Sequence, residues 1–345
     1  MPNRKVRLVA AGWAWHVCRM RNSLLAAAAA LALALPASAQ EEPQGAPSPN
    51  EIVESAPRAD WVEISPEDLL VMTLAPDAEG NEREVVIQLM PAPFSQGWTE
   101  NIRTLARAKW YDGISVNRVQ DNYVVQWGDP GYDNPESGEM ETKPLPEGLR
   151  VMKESEYVTP AWCGHHICPP LPQIEENGNQ PDDTYGVSSV VNGWPVSSDL
   201  GTSGVWPVHC YGMVGVGRNY SPDTGSGAEL YTVIGHAPRH LDRNIALVGR
   251  IISGMEHLSS LPRGSGQLGF YTDEEADKRT PILSVRVASD LPEGGRPVFE
   301  YLNTETETFA RYAEARANRR DPFFIVPAGG ADICNIPVPV RVVAD

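Results

Sequence analysis

Tyr111-Asp112-Gly113-Ile114-Ser115-Val116-Asn117-Arg118-Val119 follows a strand pair and a helix, and that order frames the chain. Upstream, Leu69-Leu70-Val71-Met72-Thr73-Leu74 is an apolar run bounded by Pro66 and Pro76, and Val85-Val86-Ile87-Gln88-Leu89 is a second. With turn residues from Asp77 to Asn81 between them, the two predict a β-hairpin. Trp98 to Arg107 has helical spacing, with Trp98, Ile102 and Leu105 on one face. Downstream, Tyr123-Val124-Val125-Gln126 reads as a strand, as do Leu230 to Ile234, Ile245 to Val248 and the alternating Ile282 to Val287. A last helix is predicted from a Thr304/Glu307 capping box, with Phe309, Tyr312 and Ala313 as its buried stripe and Asp321-Pro322 as its stop. Short strands with two or three helices imply a mainly β fold, an antiparallel barrel with helical caps.

The flanks read differently. Leu24 to Leu35 is an unbroken Leu/Ala run, preceded by Arg19 and Arg21 and followed by Ala37-Ser38-Ala39. That is the pattern of a signal peptide over residues 1–39, too short to span a bilayer, so no stable membrane span is expected after cleavage. The expected location is the periplasm. Residues 40–59 are rich in Pro, Ala and Glu without apolar periodicity and read as a disordered linker. One domain is then expected over 60–345. It carries an irregular loop insertion at 131–207, rich in Pro, Gly, Asn and Asp, and a C-terminal extension at 293–345 that packs back on it.

The chain of 345 residues has a net charge of −17, and cleavage removes five basic residues and no acidic one. Such acidity argues against nucleic acid or an anionic membrane as partner. Cys163, Cys168, Cys210 and Cys334 remain after cleavage. In an oxidising compartment they read as two disulfides, with three connectivities. The short spacing favours Cys163–Cys168 and leaves Cys210–Cys334, which would pin the extension to the barrel. Crossed pairing to Cys334 stays open.

The nine opening residues resemble the cyclophilin signature, approximately Y-D-G-T-x-F-H-R-V. Asn122-Tyr123-Val124-Val125-Gln126-Trp127-Gly128-Asp129-Pro130 is similar to the family's F-M-I-Q-G-G-D-P block. Leu241-Asp242, Ala246 to Ile251 and Gly254-Met255 resemble a third block. The resemblance covers roughly 65–130 and 209–290. It implies a closed eight-stranded antiparallel barrel with two helices and rotation about X–Pro bonds in proline-containing polypeptide clients, here proteins folding in the cell envelope.

That chemistry needs no covalent step, metal or cofactor. The C–N bond resists rotation by about 18–20 kcal/mol. Turnover near 10³ per second requires a barrier of about 13 kcal/mol, so a site must supply roughly 6. A cation donating toward the proline nitrogen as it pyramidalises, an apolar pocket for the ring and a polar group that fixes the peptide suffice. Only contacts stronger in the twisted state count. By resemblance, Arg118 is the cation and Gln126 the backbone-fixing amide. Tyr123, Val124 and Tyr231 stand in the proline pocket, with Glu229 and His240 beside it.

The chain departs from the family at several points. Asn117 and Val116 stand where the family has His and Phe, and Ile245 where His is common. Met213-Val214-Gly215 replaces M-A-N. These departures support a second reading, a catalytically weak barrel used as a binding or chaperone module. Other motifs read blandly. Cys163-Gly164-His165-His166-Ile167-Cys168 has metal-ligand residues, but export favours a disulfide over zinc. Gly212 to Gly217 is not a G-x-G-x-x-G fingerprint and opens no helix.

Overall fold

A computed structural model describes residues 45–129, 142–160, 185–199 and 204–343. The expected signal peptide and the expected Cys163–Cys168 bridge lie outside the described residues. In chain order the elements begin with α1 (Pro49–Glu54), β1 (Trp61–Glu63), β2 (Leu69–Leu74), β3 (Arg83–Leu89), α2 (Gln96–Arg107), β4 (Ser115–Val119) and β5 (Val124–Gly128). The insertion holds β6 (Thr159–Pro160), β7 (Val187–Val191), β8 (Trp194–Asp199) and β9 (Gly204–Pro207). Then come β10 (Met213–Val216), β11 (Leu230–Val233), β12 (Leu247–Ser253), α3 (Glu256–Ser259), β13 (Ile282–Val287), β14 (Phe299–Leu302), α4 (Glu307–Ala317) and β15 (Val340–Val342).

Eight antiparallel strands run in the order β13-β2-β3-β12-β10-β11-β5-β4. The sheet closes on itself where Ser115 of β4 bridges Pro281, beside the bonds Val116 N–H to Thr280 O (2.9 Å) and Ile282 N–H to Ile114 O (2.8 Å). The predicted hairpin is β2–β3, paired from Leu69↔Gln88 to Leu74↔Arg83. Leu70, Met72 and Leu74 point into the barrel core with Trp98, Ile102 and Leu105 of α2. Each such side chain contributes about 1.5–3 kcal/mol on burial. Leu69 and Val71 face outward, yet they are buried too, against Phe299 and Ala288. The run is continuously apolar because both faces of its strand are covered.

The covering comes from segments outside the barrel, and here three expectations are corrected. Residues 40–59 are not a disordered linker throughout. Ser48 and Glu51 form a capping box, Pro49 starts α1, and Ile52 packs with Trp61, Leu302, Phe309 and Tyr312. A six-residue helix buries one or two side chains, too few to show a period. The 131–207 insertion is not merely an irregular loop. Asn192-Gly193, at φ +49° and +83°, is the two-residue turn of the β7–β8 hairpin, since both positions need a left-handed backbone. Trp194 and Val196 from that hairpin join Met90, Phe94, Val208 and Leu247 in a second core. Residues 142–160 strap α2, where Asn101 and Arg150 exchange two 2.8 Å bonds. Finally, α4 is capped by Thr306, which accepts from Phe309 N–H at 3.2 Å, and ends at Ala317. Thr304 instead accepts from Gly193 N–H.

The extension pairs with the N-terminal segment, β14 lying between β1 and β15. Cys210 and Cys334 are disulfide-bonded, with Cα atoms 5.1 Å apart. No helix among the described residues is long and apolar enough to cross a membrane.

Candidate functional site

A β-bulge creates the site. The β4–β5 register shifts between Val116 and Arg118, so Asn117 is the extra residue. Val116 and Val119 can then both stay in the core while Arg118 turns onto the outer face. Arg118 lies directly across from Gln126, Gln126 across from Tyr231, and Tyr231 across from Gly215. Four strands thus carry one row of side chains.

Arg118 is held from three directions. Nη1 donates to Gln126 Oε1 at 2.9 Å, Nε to the Leu268 carbonyl at 2.7 Å, and Nη2 to Gln120 Oε1. The guanidinium also lies over the Tyr123 and Phe270 rings, 5.8 and 5.2 Å from their centroids. Gln126 is buried and donates from Nε2 to Glu229 Oε1 at 2.7 Å. A carboxylate only accepts, so Glu229 fixes the amide with its oxygen toward Arg118. Glu229 is fully buried and does not border the cleft; it holds Gln126 from behind.

Beside this row is a cleft of about 320 Å³, walled by Tyr123, Val124, Tyr231, Leu241 and Ile245, with Arg118 and Gln126 on its polar side. Val124 and Tyr231 share a small apolar cluster with the buried Val233, against which Tyr123, Leu241 and Ile245 pack. His240 stands beside the cleft. Its ring stacks on Tyr123 (6.3 Å, 9°) on the exposed rim and does not line the cleft. Tyr123 lines it directly.

Sequence reasoning misses what holds Tyr231. Its hydroxyl lies 2.9 Å from His209 Nε2, and His209 Nδ1 lies 2.8 Å from Asp242 Oδ1. Asp242 Oδ2 accepts from Arg239 Nε at 2.7 Å. Asp242 requires a proton on Nδ1, so Nε2 is the acceptor and the tyrosine hydroxyl donates. Burial lowers the His209 pKa below its ordinary 6.5, keeping the ring neutral, and raises that of Tyr231 well above 10. The Tyr231 ring lies over Gly215, where any Cβ would meet it at 2.3 Å. The glycine at the third position of Met213-Val214-Gly215 makes that room. Arg218, Asn219 and Tyr220 also border the cleft from the loop after β10, a loop whose sequence shows no period.

The barrel and this cleft define a cyclophilin-type fold. The family described as cyclophilin type peptidyl-prolyl cis-trans isomerase/CLD matches residues 80–287, and the chain belongs to it. Cyclophilin AquaCyp293 from Hirschia baltica aligns with a TM-score of 0.53 at 20% identity, over 82% of this chain and 93% of that one. A Cryptosporidium parvum cyclophilin type peptidyl-prolyl cis-trans isomerase, solved in the presence of the dipeptide Ala-Pro, aligns at 0.32 and 10%, over 63% and 98%. No curated protein matches the chain by sequence. The match to the isomerase family and fold agrees with the expectation from the opening nine residues.

Proposed function

We propose that this cleft rotates X–Pro bonds with Arg118 as the catalytic cation, in proteins that fold in the cell envelope. One observation carries the reading: Arg118 is oriented by Gln126, and Gln126 by Glu229, at the polar edge of a cleft large enough to admit a proline ring. The cleft holds the pyrrolidine while the preceding carbonyl turns. As the imide nitrogen pyramidalises it gains a lone pair, and the guanidinium stabilises that state more than the planar one. Gln126, fixed from behind, holds the peptide backbone. The Leu/Ala run with Ala37-Ser38-Ala39 and the Cys210–Cys334 disulfide support export to an oxidising compartment. Proline-containing polypeptides are then the clients.

Arg118→Ala should lower kcat/KM in a proline-peptide assay at least tenfold, about 1.4 kcal/mol, with unchanged circular dichroism and melting temperature. Wild-type activity no greater than the variant's overturns the enzymatic reading and leaves the binding-module one. N-terminal sequencing from the envelope fraction should give a start near Gln40. An intact leader in a cytoplasmic fraction overturns the compartment.

A further inference from the structure

A second cavity, of about 380 Å³, lies between β12 and the C-terminal segment. That is within the range of about 300–1,000 Å³ typical of small-molecule sites. Its walls are apolar, with Met213, Ile252, Ile336 and Val338 among them. Two guanidinium groups, Arg250 and Arg316, also border it, and among the described residues no Asp or Glu does. In a chain with 45 acidic residues and a net charge of −17, this is a cationic enclave.

Arg250 is the unusual member. It is 7% exposed. Nε donates to Gln88 Oε1 at 2.8 Å and Nη1 to the Gly193 carbonyl at 2.9 Å, and its face lies 4.5 Å from the Trp194 ring. Among the described residues Nη2 has no hydrogen-bond partner, and no carboxylate pairs with the group. Burial pulls its pKa down to about 10. A desolvated cation without a counter-charge is an expensive arrangement, and an anion in the adjoining cavity relieves it.

We propose that this cavity binds a small monocarboxylate with an apolar tail, its head near Arg250 and Arg316 and its tail against the Ile and Val walls. A neutral apolar ligand would leave the buried charge unanswered. A strongly hydrated dianion would not match walls that are mostly hydrocarbon.

The probe is octanoate, titrated by calorimetry into the full mature chain below its micelle concentration, with 1-octanol as the neutral counterpart. One saturable octanoate site per chain is expected, with octanol at least tenfold weaker. Arg250→Met should weaken octanoate at least tenfold, and Arg118→Ala, in the other cleft, should leave it unchanged. Absence of saturation, equal binding of octanol, or undiminished binding to Arg250→Met overturns the proposal. Should Arg250→Met fail to fold, Val338→Trp fills the cavity from the C-terminal segment. It should abolish the octanoate site while isomerase activity persists, and full binding in that variant overturns the proposal equally.

Discussion

The outer face of the barrel carries the same pair twice. Arg118 sits across from Gln126 on β4 and β5, and Arg250 sits across from Gln88 on β12 and β3. Each arginine donates to its glutamine oxygen, at 2.9 and 2.8 Å. What lies over and behind the pair differs. Behind Gln126 stands the Glu229 carboxylate, and Arg118 borders an open cleft. Over Arg250 lies Trp194 from the insertion, with the Gly193 carbonyl taking a second donor. A strand pair can present a cation, but the covering segments decide how it is partnered and which cavity it borders.

The largest expected effect comes from loosening that cover. Cys210–Cys334 joins positions 124 apart and ties the C-terminal segment to the barrel. In the chain-entropy model a loop of that size is worth about 4–5 kcal/mol. A Cys210→Ser, Cys334→Ser double variant should lose stability on that scale in denaturant titration. Well below its melting temperature it should keep most of its kcat/KM. Loss of activity as deep as that of Arg118→Ala would show that the two faces are not separable.

Next is Gly215→Ala. The new methyl would meet Tyr231 Cζ at 2.3 Å, so either the ring leaves its bond to His209 or the strand shifts. Overpacking of this kind costs about 1–3 kcal/mol. A higher KM with a lowered melting temperature is expected, and an unchanged KM would show that the ring is not the floor of the proline site. Smaller again is Glu229→Gln, which keeps the shape and removes the charge that orients Gln126. A charge-assisted bond is about twice as strong as a neutral one, so a loss near 1 kcal/mol, about fivefold in kcat, is expected with little change in stability. An unchanged kcat would detach Glu229 from the active row.

Much of the candidate site is legible in the sequence. Arg118 and Gln126 lie eight residues apart on adjacent strands, so local order brings them together. The β2–β3 hairpin and α2 are legible for the same reason, their apolar periods being short-range. His209, Asp242 and Tyr231 do not read as a unit, because they come from two loops and a strand that only the closed barrel assembles. Asn192-Gly193 is a readable turn signal lost among the polar residues around it. The bulge at Asn117 carries no signal, since a strand that shifts by one residue looks like a strand. Arg250 looks like a surface arginine because nothing local says that Trp194 will cover it.

The smallest effect concerns the loop that grips Arg118 from its other side. Leu268 O accepts from Arg118 Nε, the Phe270 ring lies under the guanidinium, and Tyr271 N–H donates to Asn117 O. Glu275 ties this loop down. Its carboxylate accepts from Lys278 Nζ at 2.6 Å, from Ser265 N–H at 3.0 Å and from Thr272 N–H at 3.2 Å. The lysine bond first, then the backbone bonds, pull its pKa from 4.5 down to about 2. A carboxyl whose folded value is depressed contributes fully above its unfolded value and loses that contribution as pH falls through the folded one. Glu275→Gln should therefore speed amide exchange in residues 264–271 at pH 6, with global melting little changed. Below about pH 4.5 the gap to wild type should narrow, closing toward pH 2 as the native carboxyl takes up its proton. Equal exchange at pH 6 would show that Glu275 does not hold the loop. Arg118 would then owe its pose to Gln126 and Gln120, the partners on its own hairpin, and the contrast with Arg250 would rest on Glu229 and the open cleft alone.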